Sequence, residues 1–471
     1  MSFGDNALNL KKKIIKASLK IIKAMINEKS SHSADIKKIL FVTVGGSCEP
    51  IIKAIDHHRP GFVYFVCSTG TSGKAPGSIS MVTGAGQGCQ TGSTIPESTG
   101  LADSQYEVIA LDPGEEDDPG EAYKKIKDKI KQAIAQWPVA EILADYTGGT
   151  KSMSVALFSA AIDFENVRVS LVTGARADLR KVKNLTETAV TLNKFSFVME
   201  RQLEQANALV AKFSYASARK LIEDLLEAGL HFSVESRNKL QKLYGFCQLF
   251  DAWDKFDHAK AFDLFQGFEK FYPNHFQNLK KTITERKLLD KGFSAPENFV
   301  DLNQGRFHLV NDLMLNAHRR GIQNRFDDGV GRIYRALELF AQTYLLTEHQ
   351  IKTGSVEVDT LPEKARVRYN SKKDENGMAK LGLMESYELI CVLDGPEKAV
   401  GGVFEKYRNK ILFEITSRNN SLLAHGFTPV SKQAFSSFFN LTSQFFNECQ
   451  AATGLNQMES DLQLPQSLPG L

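Results

Sequence analysis

Short apolar segments alternate with helical segments from Ile39 to about Phe195, and this alternation constrains the fold more than any other feature. The strand-like segments lie at 39–44, 61–67, 107–111, 141–145 and 167–172. They are nearly continuous apolar runs rather than alternating polar and apolar positions. Strands buried on both faces and joined by helices are typical of a parallel sheet covered by helices. The pattern predicts an α/β domain over residues 1–195.

Two loops of this predicted sheet are rich in glycine and hydroxyl groups. The first is Gly45, Gly46 and Ser47, and the second is Thr147, Gly148, Gly149, Thr150 and Lys151. Both connect the end of a strand to a helix N-terminus, where backbone N–H groups bind phosphate well, and Lys151 adds a positive charge. Neither is a GxGxxG or GxxxxGK[ST] motif, so hydride transfer and NTP hydrolysis have weak support. Ordinary tight turns are the alternative, but two such loops in one sheet favour ligand binding.

The overall composition restricts partners and compartment. A chain of 471 residues is expected to form two or three domains. Its net charge of +3 is nearly neutral, so any nucleic-acid contact must be a local patch. The six cysteines are scattered without a CxxC pair, which argues against a zinc site or a disulfide framework and fits a reducing cytoplasm.

The two termini have distinctive compositions. Residues 1–30 form a basic amphipathic extension without the apolar core of a signal peptide, and a packed helix is favoured over a membrane-surface role. No run of about 18 apolar residues predicts a membrane span. The tail, 456–471, is acidic and ends with prolines, so we expect it to be disordered. The glycine- and serine-rich stretch 72–100 is predicted to be a flexible lid or disordered.

Residues 196–300 lose the strand pattern and are predicted to form an all-α spacer. Two segments, 213–219 and 256–262, share an aromatic residue followed by A-x-A and an apolar stripe, which indicates a duplicated helical hairpin. Residues 301–455 are predicted to form an all-α bundle. Within it, Arg332, Arg335 and Glu338 follow an i, i+3, i+6 spacing, for which intrahelical ion pairing is the favoured interpretation.

Arg418 and His425 are the polar residues of this bundle that packing does not explain. They lie seven positions apart, so in a helix their side chains share one face two turns apart. An imidazole that moves protons beside a guanidinium that holds a phosphate suffices to cut RNA without a metal. The alternative is a capping arginine beside a histidine that interacts favourably with the helix dipole.

These features together resemble the CRISPR-associated CARF–HEPN effectors of type III systems. The resemblance is carried by Phe41–Ser47, Asp145–Ser152, Tyr334–Glu338 and Arg418–His425. It implies a Rossmann-like CARF domain that senses cyclic oligoadenylate through Gly45–Ser47, Thr69 and Thr147–Lys151. It also implies a HEPN domain that cuts single-stranded RNA without a metal or cofactor, with Arg418 and His425 as catalytic residues and Asn419 in support. Members act as cytoplasmic homodimers with a composite active site.

Two other interpretations stay open. The chain could be a cyclic-oligoadenylate-binding regulator whose HEPN domain only dimerises or binds RNA. It could instead be a small-molecule enzyme that uses the N-terminal sheet, such as a nucleotide-dependent oxidoreductase, although the absence of GxGxxG argues against this.

Overall fold

The chain divides into two compact units, Met1–Glu200 and Arg201–Leu471. The structure, a computed structural model, describes residues 36–71, 75–84, 89, 92–173, 188–192, 194–228, 232–290, 294, 306–394, 399–419, 426–453 and 462–470. The predictions for the basic extension at 1–30 and for His425 lie outside the described residues.

The first unit is built on a six-stranded main sheet with helices around it, and two of its shorter strands form a separate antiparallel ladder. Its strands are β1 (Lys38–Thr43), β2 (Phe62–Ser68), β3 (Gly70–Thr71), β4 (Ala75–Pro76), β5 (Tyr106–Leu111), β6 (Glu141–Asp145), β7 (Val167–Thr173) and β8 (Thr188–Leu192). Its helices are α1 (Glu49–His58), α2 (Ser80–Thr83), α3 (Ile95–Thr99), α4 (Pro119–Gln136), α5 (Lys151–Ile162) and the start of α6 (Phe195–Val210), with a 3₁₀ turn at Asp103–Gln105.

The main sheet has the order β5-β2-β1-β6-β7-β8. Its first five strands are parallel, as the apolar runs predict, and β8 pairs antiparallel with β7 at one edge. Alternate residues of β1 point to opposite faces: Phe41 packs in the core that holds α4 and α5, and Val42 packs in the core that holds α1. Burial on both faces explains why β1, β2 and β6 are nearly continuous apolar runs, whereas β5 and β7 also carry the exposed Glu107 and Arg168.

The stretch 72–100 is not wholly irregular, in contrast to the prediction of a lid or a disordered loop. It contains α2 and α3, and Thr94 caps α3 in a capping box with Glu97. Cys48 and Cys89 form a disulfide that links this stretch to the start of α1. The expectation that the scattered cysteines form no disulfide framework is therefore wrong for this pair. The two cysteines are 41 residues apart, and only the fold brings them together.

The second unit is predominantly helical. Its helices after α6 are α7 (Tyr215–Glu227), α8 (Val234–Asp254), α9 (His258–Leu264), α10 (Pro273–Leu289), α11 (His308–Ile322), α12 (Phe326–His349), α13 (Glu363–Tyr369), α14 (Leu383–Asp394), α15 (Ala399–Asn419) and α16 (Lys432–Thr453). Two 3₁₀ turns lie at Val358–Thr360 and Asn370–Lys372. A two-stranded ladder, β9 (Val356–Glu357) with β10 (Met378–Ala379), departs from the strand-free bundle predicted for 301–455.

The two similar segments of the spacer adopt the same turn. Phe213 precedes α7 with φ of 57°, and Phe256 precedes α9 with φ of 63°. In each turn the following residue donates its N–H to a carbonyl five positions back, Ser214 to Leu209 and Asp257 to Ala252, both at 2.9 Å. The same turn also occurs at Asn324, where the Arg325 N–H donates to the Arg320 carbonyl at 2.8 Å, so the duplication stays a prediction.

Buried charged residues join α8 to α11. Asp254, Asp312, Asn316, Arg319 and Arg320 are each at most 7% exposed, and we call them the buried charge cluster. Asp254 Oδ1 accepts hydrogen bonds from Arg319 Nε at 2.7 Å and Asn316 Nδ2 at 3.0 Å. Its Oδ2 pairs with Arg320. Arg332 of α12 donates to the Asn316 side chain, so three helices meet at this cluster.

Residues 462–470 are ordered, in contrast to the predicted disorder of 456–471, and the rest of that predicted tail lies outside the described residues. Gln463 accepts from Arg319 Nη1 at 2.6 Å and donates to the Leu315 carbonyl at 3.1 Å. The Pro465 carbonyl accepts from the Tyr215 hydroxyl at 2.5 Å. These contacts satisfy polar groups of α7 and α11, which composition alone does not reveal.

Candidate functional site

The first candidate site lies where the order of the sheet reverses. The chain runs from β1 outward to β2 and β5, and then crosses to β6 on the other side of β1. β1 and β6 are parallel neighbours, with Val42 opposite Asp145. Their carboxyl ends therefore lie at the same edge, and the loops 44–48 and 146–150 follow them side by side. Crevices at such reversal points are the usual ligand sites of open α/β sheets.

Close backbone contact between the two loops requires glycine. A Cβ atom on Gly148 would lie 2.3 Å from the Thr43 carbonyl oxygen, and one on Gly45 would lie 2.7 Å from the Gly149 nitrogen. By contrast, a Cβ on Gly46 would meet no atom within 4 Å, and Gly46 and Ser47 are exposed. Glycine at positions 45 and 148 therefore permits the close approach of the two backbone segments. Gly46 and Ser47, by contrast, face open space.

The predicted threonines hold the loop in shape. The Thr147 hydroxyl donates to Asp145 Oδ1 at 2.5 Å and accepts from the Val172 N–H at 2.7 Å. The Thr150 hydroxyl caps α5 by accepting from the Met153 N–H at 3.2 Å and donates to the Glu116 carbonyl at 2.6 Å. Each hydroxyl thus donates its one hydrogen bond within the protein. These bonds fix the conformation of the loop that a ligand would contact.

Thr69 follows β2 rather than β1 or β6. Its hydroxyl donates to the Leu111 carbonyl at 3.1 Å, and its N–H donates to the same oxygen at 2.9 Å. Both bonds tie the end of β2 to the end of β5. The ligand role of Thr69 stays a prediction.

Lys151 supplies positive charge at the crevice. It is the first residue of α5, and its side chain is exposed. α5 has 12 residues and directs the N–H groups of its first turn toward the loop at 146–150. A lysine at the N-terminus of such a helix forms a good binding site for an anion.

A buried polar group that sequence reasoning did not assign to the site lies directly below this loop. Asp145 is fully buried; its Oδ1 accepts from the Thr147 N–H at 3.0 Å. Its Oδ2 has no hydrogen-bond partner within the described residues. The signal in the sequence was a carboxylate at the last position of an otherwise apolar strand.

His58, at the end of α1, is a second buried polar residue that sequence reasoning missed. Its Nε2 lies 2.8 Å from the Ser170 hydroxyl, and Ser170 is the register partner of Asp145. Burial lowers the pKa of His58, with a smaller contribution from His57. The imidazole therefore favours its neutral form in the folded protein.

The second candidate site contains the predicted catalytic residues. Arg418 and Asn419 form the end of α15, so Arg418 is helical rather than part of a separate capping turn. The chain re-enters the described residues at Gly426, and the Val430 N–H then donates to the Asp327 carboxylate of α12 at 3.2 Å. Ser437 of α16 donates to Glu414 of α15 at 2.6 Å. Both flanks of the segment 420–425 are thus anchored to the helical bundle.

The ion pairing predicted within one helix of the bundle is present in α12. Arg335 Nη1 donates to Glu338 Oε2 at 2.7 Å, which confirms the intrahelical ion pair. Arg332 forms a second intrahelical ion pair, with Asp328 Oδ1 at 3.9 Å, and also donates to the Asp328 carbonyl and to the Asn316 side chain. Among the described residues, no group of three or more His, Cys, Asp or Glu side chains is placed to hold a metal ion. Nor is any described helix both long enough and apolar enough to span a membrane.

Comparison with known proteins shows which proteins this chain resembles. Residues 301–448 match the family model of the Csm6 HEPN domain. Over 373 residues, the chain is 24% identical to the CRISPR system endoribonuclease Csm6 of Thermus thermophilus, covering 71% of this chain and 74% of that protein. The resemblance to CRISPR-associated CARF–HEPN effectors is therefore confirmed.

The solved structure of Enterococcus italicus Csm6 bound to cyclic hexa-2′-fluoro-hexa-dAMP shares the overall fold. It superposes with a TM-score of 0.57 at 14% identity, covering 89% of this chain and 95% of that one. The particular relatives that this chain resembles are thus Csm6 proteins, in both sequence and fold.

Proposed function

We propose that this chain is an endoribonuclease of CRISPR antiviral defence that is activated by cyclic oligoadenylate. The match of residues 301–448 to the Csm6 HEPN domain carries the proposal, because this range contains Arg418, Asn419 and His425. The relatives add support: one is named an endoribonuclease, and another is bound to a cyclic hexanucleotide analogue. The chain would act in the cytoplasm on single-stranded RNA.

Cyclic oligoadenylate would bind in the crevice between the β1 and β6 loops. Its phosphates would meet Lys151 and the N–H groups at the start of α5, and its sugar edges would meet the exposed Ser47. Gly46 leaves room for close approach of the ligand to the backbone. No hydride transfer or phosphate-loop chemistry is needed at this site.

RNA cleavage would use the substrate's own 2′-hydroxyl as the nucleophile. Arg418 would hold the scissile phosphate and stabilise its developing charge, and His425 would transfer protons. The 2′-oxygen bonds to phosphorus while the 5′-oxygen leaves with a proton, giving a 2′,3′-cyclic phosphate and a 5′-hydroxyl. The active site would be composite, with one Arg418–His425 pair from each copy of a homodimer.

The test is RNA cleavage in EDTA, with and without cyclic tetra- or hexa-adenylate. Activator-dependent cleavage should persist in EDTA, should spare DNA of the same sequence, and should fall about 10²–10⁴-fold in His425→Ala. Arg418→Ala should be equally impaired, and Arg366→Ala provides a matched control, because Arg366 is an exposed arginine on α13. Cleavage that requires a metal or survives His425→Ala would refute this mechanism. Activator binding without any RNA loss would select the regulator instead.

A further inference from the structure

A groove of about 700 Å³ lies within the second unit, bordered by α10, α11, α12 and the turns beside β9 and β10. Four of its lining residues are cationic: Arg286, Arg335, Lys352 and Lys380. Asp290 is its single carboxylate. We call this the basic groove. Arg286 is paired with Asp290 and Arg335 with Glu338, so the uncompensated positive charge of the groove comes from the two lysines.

The two arginines of the basic groove are held in place by neighbours. Arg286 Nη1 donates to the Phe256 carbonyl at 2.7 Å and lies 3.2 Å from His258 Nδ1. Arg335 Nη1 donates to Gln342 Oε1 at 3.0 Å in addition to its bond to Glu338. Guanidinium groups fixed in this way lose little further entropy when they bind an anion.

The two lysines are available for a ligand. Ala379 pairs with Val356 across the β9–β10 ladder, and the Leu381 N–H donates to the Thr353 carbonyl at 2.9 Å. This pairing holds the segments that carry Lys352 and Lys380 side by side. Both lysines are exposed, and neither ammonium group is paired with a carboxylate in the described part of the chain.

The rest of the lining is apolar. Leucines of α10, α11 and α12 line the groove together with Phe256; Leu288 is 66% exposed, whereas Leu309 and Leu339 are nearly buried. Apolar and aromatic surface beside fixed positive charge is the combination that binds single-stranded nucleic acid, because bases contact the apolar part and phosphates contact the cations. The volume is in the range of pockets that enclose a small ligand, which suits a short single strand but not a duplex.

We infer that the basic groove binds a stretch of the single-stranded RNA substrate outside the cleavage site. The inference rests on the proposed function for its choice of RNA. It also accounts for a nearly neutral chain that acts on a polyanion, since a local patch replaces a global field. Lys352 and Lys380 each contact one phosphate, and Arg286 and Arg335 line the path between the lysines and the apolar wall.

The test measures RNA affinity of the full chain across ionic strength. In a His425→Ala background, a fluorescent single strand of about 20 nucleotides is titrated with protein and followed by anisotropy. Loss of two phosphate contacts in Lys352→Ala/Lys380→Ala should reduce the slope of log K against log salt by about 1.4. At 0.1 M salt this corresponds to an affinity lower by about 25-fold, and the difference should vanish near 1 M salt.

The matched control is Lys364→Ala/Arg366→Ala, which removes two exposed cations of α13 that do not line the groove. Its affinity should stay within about twofold of the parent. Equal slopes for the two double variants would overturn the inference. An acidic peptide that displaces the RNA as well as unlabelled RNA does would also overturn it, because the groove would then lack preference for nucleic acid.

The two proposals fail in different ways. If otherwise wild-type protein cleaves RNA but the Lys352→Ala/Lys380→Ala variant binds it normally, the groove assignment falls and the endoribonuclease proposal stands. If no cleavage occurs but the lysine variant still binds RNA more weakly with the reduced slope, the groove stands and the catalytic proposal falls. Absence of RNA binding at every salt concentration overturns the groove assignment.

Discussion

Replacing Asp254 by asparagine should destabilise the second unit by several kcal/mol. Asp254 is 7% exposed and is the carboxylate that directly pairs with both Arg319 and Arg320. Asp312 gives Arg319 a weaker substitute, since its Oδ1 lies 3.6 Å from Arg319 Nη2, beyond hydrogen-bond distance. Among the described residues, Arg320 would keep neutral acceptors: the Asn316 side chain at 3.4 Å, the Gln323 side chain at 2.7 Å and the carbonyl of residue 254 at 3.4 Å.

Removing one partner from a buried ion pair costs about 3–5 kcal/mol, because the other charge stays buried without compensation. With a urea m-value of about 3 kcal/mol/M, expected for a unit of this size, the unfolding midpoint should fall by about 1–1.7 M. Asp224→Asn is the matched control, since its ion pair with Lys220 is exposed on α7. That change should cost no more than about 0.5 kcal/mol.

The chain offers a specific optical probe for this measurement. Its two tryptophans are Trp137 in the first unit and Trp253 in the second. In a Trp137→Phe background, urea unfolding followed by fluorescence reports the second unit alone. Trp253 Nε1 donates to Asp312 Oδ2 at 3.1 Å, so the probe contacts the buried charge cluster itself. Equal unfolding midpoints for Asp254→Asn and Asp224→Asn would refute the claim that the buried charge cluster stabilises the packing of α8 against α11.

Two further predictions concern the crevice and the pH dependence of folding. Gly148→Ala should destabilise the first unit by about 1–3 kcal/mol, because its Cβ would lie 2.3 Å from the Thr43 carbonyl oxygen. Gly46→Ala should leave the unfolding midpoint unchanged, because its Cβ would meet no atom within 4 Å. Fluorescence of Trp137 in a Trp253→Phe background measures the unfolding midpoint of each variant. Burial raises the pKa of Glu285 to about 7. Hydrogen bonds from the Leu309 and Phe307 N–H groups lower this pKa, but the effect of burial is larger. The stability due to this raised pKa is complete below the unfolded-state pKa of about 4.5 and is lost as the pH rises through about 7. Relative to Glu285→Gln, the wild-type free energy of unfolding should therefore fall by about 3 kcal/mol between pH 4.5 and pH 8, and a pH-independent difference would contradict this.

The parallel sheet could be predicted because its signals are local. β1, β2 and β6 are nearly continuous apolar runs, β5 and β7 are predominantly apolar, and the glycine-rich loops directly follow β1 and β6. The edge strand β8 was not predicted, because Thr188–Leu192 is short and mixed in polarity. An edge strand needs apolar residues on fewer positions than a central one, so its sequence resembles that of a loop.

Features that depend on distant pairs could not be predicted from the sequence. Cys48 and Cys89 are separated by 41 residues, and Asp254 and Arg319 by 65. No periodicity within one helix indicates which arginine meets which carboxylate. Gln463 shows the same limit, since a polar residue in a proline-rich tail gives no sign that it binds a buried arginine. The catalytic roles of Arg418 and His425 and the ligand roles of the crevice residues likewise stay predictions.

The buried charge cluster also bears on how the helices around residue 300 can move. α8 lies in the predicted spacer and α11 in the predicted bundle, yet the cluster joins them within one compact unit. Charged hydrogen bonds in an interior of low dielectric are costly to break unless water replaces them at once, and these side chains are almost fully buried. Sliding α8 past α11 would therefore break the ion pairs that Asp254 makes with Arg319 and Arg320 at the same time. These two helices are better regarded as one rigid body, so any ligand-driven change in the second unit would displace them jointly and would bend the chain elsewhere.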